Sequence, residues 1–232
     1  MHVPDGIVPV WLQLMMFAVS ASVLLLSVRR INRRFDERLV PYMGVLAAVT
    51  FAAQLVNFPV PPASSGHLMA STLLAVMVGP WAGIVIVALV LLVQAMAGDG
   101  GLLTYGLNLL NMGVLACPVG WLVARALFRL LKSFIGSKSA VLVAAAVASY
   151  VSVLLSAFAL GLELLTVPGF GVGPLTALVA IYAVVGIGEA ILTYAILLYF
   201  AKAHPDMIAL LGESEALDTG IRQRVTPSLS TS

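Results

Sequence analysis

The chain has 232 residues, of which 61% are hydrophobic and 9% are charged, and its formal net charge is +2. Soluble domains carry roughly 25% charged residues, so this composition excludes a soluble globular domain and predicts an integral protein of the lipid bilayer. A single cysteine, Cys117, excludes a disulfide framework and a thiolate metal cluster.

The N-terminal segment, Met1 to Gly6, precedes the first apolar run. We expect no secretory leader before it, since a histidine follows the first methionine directly. Methionine removal generally requires a small second residue, so we expect the mature chain to begin at Met1 with a free α-amine. That amine, the amide nitrogen of residue 2 and the His2 imidazole can close two fused chelate rings around one cation. Square-planar nitrogen coordination favours Cu(II) or Ni(II). An ordinary exposed N-terminus is the alternative.

The first predicted span, residues 8–28, is uncharged and long enough to cross a hydrocarbon core of about 30 Å. Its cationic flank indicates a connection on the cytoplasmic side, and we favour this topogenic role over binding of phosphate or nucleic acid. No nucleic acid partner is expected. The residues of this flank are Arg29, Arg30, Arg33, Arg34 and Arg38.

The second predicted span covers residues 40–58. Small residues recur on it every four positions and form a stripe on one face, which permits close approach of another helix. Asn57 at its outer end is expected to face protein or ligand, since an unpaired amide is costly in lipid; structural hydrogen bonding is the alternative. The small-residue stripe consists of Gly44, Ala48 and Ala52.

A loop rich in proline and glycine, residues 59–66, cannot be helical. It contains Ser65, and His67 follows it directly. The apolar run 67–79 would rise only about 20 Å as a helix, which is less than the hydrocarbon core. If this helix reaches the inner face, His67 lies at the bottom of a re-entrant outer loop and is buried in protein.

The dipeptide Gly79-Pro80 decides the predicted topology. If residues 67–79 and 81–97 form a hairpin broken there, the chain has seven spans and all twelve lysines and arginines lie on one side, as the positive-inside rule requires. We therefore predict an all-α polytopic protein with seven transmembrane helices, the N-terminus outside and the C-terminus inside. The later spans are predicted at residues 104–131, 139–161 and 175–200.

Polar residues near the outer ends of the spans are candidates for surrounding a site. Asp99 lies in a glycine-rich outer turn, and Asn108 and Asn111 are three residues apart on one helix face. Glu189 lies deep within an apolar run, which makes it a functional candidate by default; a structural role, pairing with helix backbone or with an amide, is the alternative. Glu163 is expected in an outer loop, residues 162–174.

The predicted arrangement brings the two outer histidines together. Residues 1–204 form a single membrane domain, and residues 205–232 form a polar cytoplasmic tail. If residues 1–7 fold into the cavity at His67, a nitrogen of His67 completes a square with those of Met1 and His2. The predicted surroundings of this site are Asp5, Asn57, Ser65, Asp99, Asn108, Asn111 and Glu189.

Several motifs resemble those of a known family. MHVPDG, AAQLVNFPV, SSGHL, GP, LLVQAMAGDGG, NMG and GIGEA occur in this order between Met1 and about Pro205. They resemble the substrate-capture components of energy-coupling-factor transporters for nickel and cobalt, the NikM and CbiM families. The resemblance implies that Met1, His2 and His67 bind the cation. Pro4-Asp5 resembles the nickel branch, so Ni(II) is favoured, with Co(II) as the alternative.

The same resemblance implies partners in the cytoplasmic (inner) membrane of the cell. Ala48 and Ala52 are implied to dock a transmembrane coupling subunit, and two ATPases and a small extra membrane subunit are implied as well. The chain lacks a GxxxxGK[ST] phosphate loop, so we expect a transport subunit rather than an enzyme. A membrane metalloenzyme and a metal-independent solute carrier are the alternatives, but the sequence lacks HExxH and matching broken segments in both halves.

Overall fold

A computed structural model describes residues 1–33, 37, 39–55, 57–60 and 64–213. Arg34, Arg38 and residues 214–232 of the predicted tail lie outside this part of the chain. The elements in chain order are α1 (Val10–Asn32), α2 (Leu39–Gln54), β1 (Phe58–Val60), β2 (Ser64–Gly66), α3 (Ser71–Val78), α4 (Pro80–Met96), α5 (Tyr105–Leu109), a π-helical segment (Leu110–Leu115), α6 (Ala116–Ile135), α7 (Ser137–Leu164), α8 (Val172–Ala203) and a 3-10 turn (Pro205–Met207).

The described chain is mostly helical, as the composition predicts. Four helical stretches are long and apolar enough to cross a membrane: Val10–Asn32, Tyr105–Ile135, Ser137–Leu164 and Val172–Ala203. The helices α2 and α4 are apolar but have only 16 and 17 residues, and α3 has 8. Within the described residues, length and composition therefore give four candidate membrane spans and leave the predicted count of seven as a proposal.

The break at Gly79-Pro80 is confirmed. Gly79 has φ 86° and ψ 158°, a conformation that favours glycine, and Pro80 is the first residue of α4, where a missing N–H costs no hydrogen bond. The expected start of this helix at His67 is wrong, because α3 begins at Ser71. Ala70, with φ 59°, ends the irregular segment that carries His67.

The loop between α2 and α3 is not helical, as predicted, but it contains a hairpin that the sequence did not indicate. Strands β1 and β2 are antiparallel, and Pro59 pairs with Ser65 in their register. The carbonyl of Ser65 also accepts a hydrogen bond of 2.6 Å from the Tyr182 hydroxyl on α8. The hairpin is thus attached to the helix bundle immediately before His67.

The predicted outer loop at residues 162–174 is shorter than expected. Glu163 lies in the last turn of α7 rather than in a loop, and its carboxylate accepts a hydrogen bond of 2.7 Å from Asn111 Nδ2 in the π-helical segment. Burial against a partner amide stabilises this final turn, which explains why the helix continues to Leu164.

The cationic end of the molecule lies away from the N-terminus. Helix α1 has 23 residues and so is about 35 Å long, and Arg30 near its end lies 4.9 Å from the centre of the Trp81 ring. At the same end, Arg125 pairs with Glu213. The first residues of the predicted tail also pack there: the hydroxyl of Tyr42, in the first turn of α2, donates a hydrogen bond of 3.0 Å to the Met207 carbonyl, and Ile208 is fully buried. The N-terminal segment lies at the other end of α1.

Candidate metal centre

The α-amine of Met1 and the imidazole of His67 are in direct contact. The amine nitrogen lies 2.7 Å from His67 Nε2, Met1 is fully buried, and His67 is 1% exposed. A cation about 2.0 Å from two nitrogens at a right angle keeps them roughly 2.8 Å apart. The separation therefore fits two neighbouring ligands of one ion as well as it fits a hydrogen bond.

The second ring nitrogen of His67 determines how the ring faces Met1. His67 Nδ1 lies 2.8 Å from the carbonyl oxygen of Leu68. A carbonyl can only accept, so Nδ1 carries the proton and Nε2 keeps its lone pair. Metal-binding histidines commonly donate their other N–H to a backbone carbonyl in this way. His67 therefore presents a nitrogen donor to Met1.

The His2 ring lies beside His67, and its own nitrogens lack partners. The two ring centroids are 4.6 Å apart with an interplanar angle of 31°. His2 Nδ1 approaches Asp99 Oδ1 to 3.3 Å, but neither ring nitrogen of His2 has a hydrogen bond of acceptable geometry. Buried polar atoms are normally paired, so this ring has bonding capacity left for a ligand.

Burial favours the neutral forms of these three bases. Desolvation lowers the pKa of the Met1 amine well below its usual value of about 8, against the opposing charge of Asp99. Desolvation also lowers the pKa of His67, and the nearby amine and His2 lower it further. The pKa of His2 is lowered mainly by burial too. Divalent cations require deprotonated nitrogen ligands, and this environment favours them.

Hydrogen bonds to the main chain of His2 and Val3 fix the backbone that carries the His2 side chain. Asn108 Oδ1 accepts from the Val3 N–H at 2.9 Å, and Asn108 Nδ2 donates to the Val3 carbonyl at 3.2 Å. The Thr104 hydroxyl donates to the same carbonyl at 2.6 Å. The Ser65 N–H donates to the His2 carbonyl at 3.1 Å. The position of the His2 ring thus depends on the segment that leads into α5 and on strand β2.

Asp5 anchors the N-terminal segment at the start of α5. Its carboxylate accepts hydrogen bonds from the N–H groups of Leu102, Leu103 and Thr104 at 3.1, 2.9 and 3.0 Å. A carboxylate is favourable where unpaired N–H groups precede a helix. Gly101 permits this approach, since a Cβ atom there would collide with the Asp5 carboxylate.

Asp99 and Asn57 lie where solvent approaches the cluster. Asn57 Nδ2 lies 3.1 Å from each carboxylate oxygen of Asp99, and the Asp99 side chain is 35% exposed. Asn57 follows α2, whereas Asp99 follows α4, so their contact joins the two connections that follow these helices, beside His2.

Glu189 fixes the segment that carries His67. Its carboxylate accepts hydrogen bonds from the Met69 and Ala70 N–H groups at 2.7 and 2.5 Å, and the residue is 1% exposed. These two N–H groups precede α3, where a helix provides no partner for them. Glu189 therefore acts on the loop and has no described contact with the nitrogens of the cluster.

Asn111 is not brought to the cluster. It was expected on the same face as Asn108, but the π-helical segment begins between the two residues, at Leu110. Its Nδ2 donates to Glu163 on α7, and its carbonyl accepts a hydrogen bond of 2.9 Å from the Ser156 hydroxyl. Asn111 thus joins the π-helical segment to α7.

The small-residue stripe of α2 lies elsewhere on the surface. Gly44, Ala48 and Ala52 are all exposed, and a Cβ atom on Gly44 would have no neighbour within 4 Å. The stripe is therefore free of packing within the described chain.

Sequence reasoning missed three polar residues that the structure places around the cluster. Thr104 contacts Val3, Tyr182 holds the hairpin before His67, and Gln94 lies against His2. Each is a polar residue in or beside an apolar helix, which was the available signal. Each of the three residues, however, contacts a residue that is more than 90 positions away in the sequence.

The cluster differs from metal sites built of side chains alone. Within the described residues, no group of three or more histidine, cysteine, aspartate and glutamate side chains is arranged to hold a metal ion. Beside the two imidazoles, the α-amine of Met1 supplies a nitrogen that lies 2.7 Å from His67 Nε2.

An apolar helical bundle with a buried N-terminal nitrogen cluster defines a class of membrane protein suited to handling a transition metal. Residues 2–207 match the family described as "Cobalt uptake substrate-specific transmembrane region", CbiM. Because this match covers most of the chain, the protein belongs to that family. The resemblance to the NikM and CbiM families is thereby confirmed.

Relatives and solved structures agree with this assignment. The putative fused nickel transport protein NikMN of Archaeoglobus fulgidus is 32% identical over 90% of this chain and 68% of its own length. The cobalt transport protein CbiM of Geobacter sulfurreducens is 32% identical over 97% of this chain and 66% of its own length. A crystal structure of a truncated transition metal transporter has a TM-score of 0.79 at 29% identity, covering 88% of this chain and 100% of that one.

Proposed function

We propose that the protein is the membrane-embedded capture subunit of an energy-coupling-factor importer for nickel, with cobalt as the alternative cargo. The contact of 2.7 Å between the buried Met1 amine and His67 Nε2 carries this proposal. Relatives named for nickel and cobalt transport support the choice of cargo. The Pro4-Asp5 pair, typical of the nickel branch, favours Ni(II).

The proposed site holds the cation in a plane of four nitrogens. They are the Met1 amine, the main-chain amide nitrogen of His2, the His2 imidazole and His67 Nε2. Within the described residues, nothing accepts a hydrogen bond from the His2 amide N–H, so this nitrogen is available once it loses its proton. Square-planar nitrogen coordination suits Ni(II). The residues proposed to support the site are Asp5, Asn57, Ser65, Asp99, Asn108 and Glu189.

The proposed topology has seven spans, with the N-terminus outside and the C-terminus inside the cytoplasmic membrane. The spans are α1, α2, α3, α4, the stretch from α5 to α6, α7 and α8. The break at Gly79-Pro80 supports this count because it turns α3 and α4 into a hairpin. The cationic end, marked by Arg30 and Arg125, supports the orientation.

Transport by this subunit requires partners. The sequence contains no phosphate-binding loop, so ATP hydrolysis is assigned to two cytoplasmic ATPases, coupled through a transmembrane subunit. The exposed stripe of Gly44, Ala48 and Ala52 supports docking of that coupling subunit, because small residues allow close helix approach. A small extra membrane subunit is a further proposed component.

The proposed transport cycle has three steps. Metal from outside is chelated by the nitrogen cluster with loss of the His2 amide proton. The outer connections that carry Asn57 and Asp99 then close over it. The coupling subunit finally reorients the capture subunit so that the site opens inward.

Substitution of His67 tests the proposal. Purified His67→Ala protein should bind nickel at least about 100-fold more weakly than the wild type, because it loses a ligand and retains only the N-terminal nitrogens. His204→Ala is the matched control, since His204 follows α8 and should not affect binding. Equal nickel affinity in all three proteins would contradict the proposal and favour a metal-independent carrier.

A further inference from the structure

Gln94 is a buried amide without hydrogen bonds from its side chain. It lies near the end of α4 and is 3% exposed, and neither its Oε1 nor its Nε2 has a hydrogen-bond partner in the part of the chain that the structure describes. Its main-chain carbonyl does accept a bond of 2.9 Å from the Asp99 N–H. Such amides are rare, since burial removes their bonds to water without replacing them.

The His2 ring is the polar group beside the Gln94 amide. Asp99 contacts both residues: its N–H donates to the Gln94 carbonyl at 2.9 Å, and its Oδ1 lies 3.3 Å from His2 Nδ1. The Gln94 side chain is also among the groups that act on the pKa of His2, which places it near the ring. Both ring nitrogens of His2 also lack hydrogen bonds. Within the described residues, two neighbouring groups with complementary donors and acceptors therefore both lack a hydrogen bond of acceptable geometry.

Metal binding changes what the His2 ring can donate. The six-membered chelate ring that includes the His2 amide nitrogen closes through Nδ1. A neutral imidazole that gives the Nδ1 lone pair to a cation carries its proton on Nε2. Metal-bound histidines usually donate this second N–H to an oxygen acceptor. Gln94 Oε1 is buried, adjacent and unused.

We infer that Gln94 is a positioning residue for the cation, whose carbonyl accepts the Nε2 hydrogen of His2 when Nδ1 coordinates the metal. This inference rests on the proposed function and extends it. The hydrogen bond holds the imidazole in the plane of the site. Because the amide is unpaired before binding, its pairing favours the metal-bound state.

The role of Gln94 can be separated from a purely structural one. Gln94→Met keeps the length of the side chain but removes its hydrogen-bonding atoms, whereas Gln94→Glu keeps an acceptor oxygen. In Gln94→Met, the dissociation constant for nickel should rise about 10- to 100-fold, while the melting temperature of the metal-free protein should stay equal or rise. Gln94→Glu should recover most of the affinity.

Thr193→Val is the matched control. The Thr193 hydroxyl on α8 is also buried and unpaired but has no described contact with Met1, His2 or His67. Removal of this hydroxyl should leave nickel affinity unchanged. The stability of the metal-free protein should stay the same or increase slightly. The effect on affinity should thus be specific to Gln94.

Two results would overturn the inference. The first is equal nickel affinity in Gln94→Met and wild type, which would indicate that Nε2 coordinates and that Asp99, beside Nδ1, is the acceptor. The second is a metal-free Gln94→Met protein that is less stable than wild type or fails to fold, which would show that the amide serves the fold. Failure of the wild type to bind nickel or cobalt would instead contradict the proposed function.

Discussion

At the scale of single residues, the nitrogen cluster is arranged before any ligand arrives. The His67 ring is oriented by its bond to the Leu68 carbonyl, and the N-terminal backbone is held by Asn108 and Ser65. A binding site that is already ordered loses less conformational entropy on binding. The cluster should therefore change little in shape when it takes up a cation.

The buried bases make the stability of the metal-free protein depend on pH. The pKa of the Met1 amine is lowered on folding, so below its unfolded value of about 8 the unfolded chain binds a proton that the folded chain does not. The lowered pKa values of His2 and His67 act in the same direction below about 6.5. Stability should therefore rise with pH, and the melting temperature of metal-free protein should be higher at pH 8 than at pH 6.

A protein with one extra N-terminal residue is the control for this pH effect, because its α-amine is displaced from His67. Its melting temperature should rise less between pH 6 and pH 8. A wild-type melting temperature that is constant or falls over this range would contradict the account of the buried amine.

The roles of individual residues could be predicted only where the chemistry is visible in one short stretch. Met1 and His2 stand out because an amine, an amide and an imidazole are adjacent in the chain. Thr104 and Gln94 do not stand out, since Thr104 acquires its role through a contact with Val3, 101 residues away, and Gln94 through the ring of His2.

At the scale of elements, local signals predicted the break between α3 and α4 but not the start of α3. Gly79-Pro80 is a local signal, because glycine adopts the required positive φ and proline begins the next helix. The start at Ser71 is set from a distance, since Glu189 accepts the N–H groups of Met69 and Ala70 across 120 and 119 residues. No local pattern contains that information.

Replacement of Glu189 by glutamine should disturb the His67 segment. An amide has one oxygen, so in Glu189→Gln its NH₂ group must face the N–H of Met69 or Ala70, and two donors then oppose each other. We expect the free energy of unfolding to fall by about 2 kcal/mol and nickel affinity to fall as well. Chemical denaturation and nickel titration measure the two effects.

Glu163→Gln is the matched control, because Glu163 meets the Asn111 amide through one oxygen, which glutamine retains. This variant should change nickel affinity little. If Glu189→Gln binds nickel as tightly as the wild type, the Glu189 contacts do not position His67.

At the scale of the whole molecule, the proposed metal site and the proposed docking surface are separate. The nitrogen cluster lies where the N-terminal segment meets the loop that carries His67, whereas the stripe of Gly44, Ala48 and Ala52 is exposed along α2. Composition predicted the membrane class correctly. The seven-span count stays a prediction, because it depends on α2, α3 and α4, which are short.

A bulky side chain on the stripe should separate capture from transport. Ala48→Trp should bind nickel normally, since Ala48 is exposed, but should lose association with the coupling subunit and metal uptake by cells. Val184→Trp is the control, because Val184 is 70% exposed on α8, away from the stripe. Normal uptake by the Ala48→Trp protein would show that the stripe is not the docking surface.

The most direct test of the central claim is the metal content and the d–d absorption spectrum of purified protein with its native N-terminus, compared with a version that carries one extra N-terminal residue. We predict one nickel per chain with a square-planar, diamagnetic spectrum in the native protein, and loss of both in the extended version, because the amine can no longer reach the site beside His67. Equal nickel in the two proteins, or none in either, would contradict a site built on the α-amine of Met1.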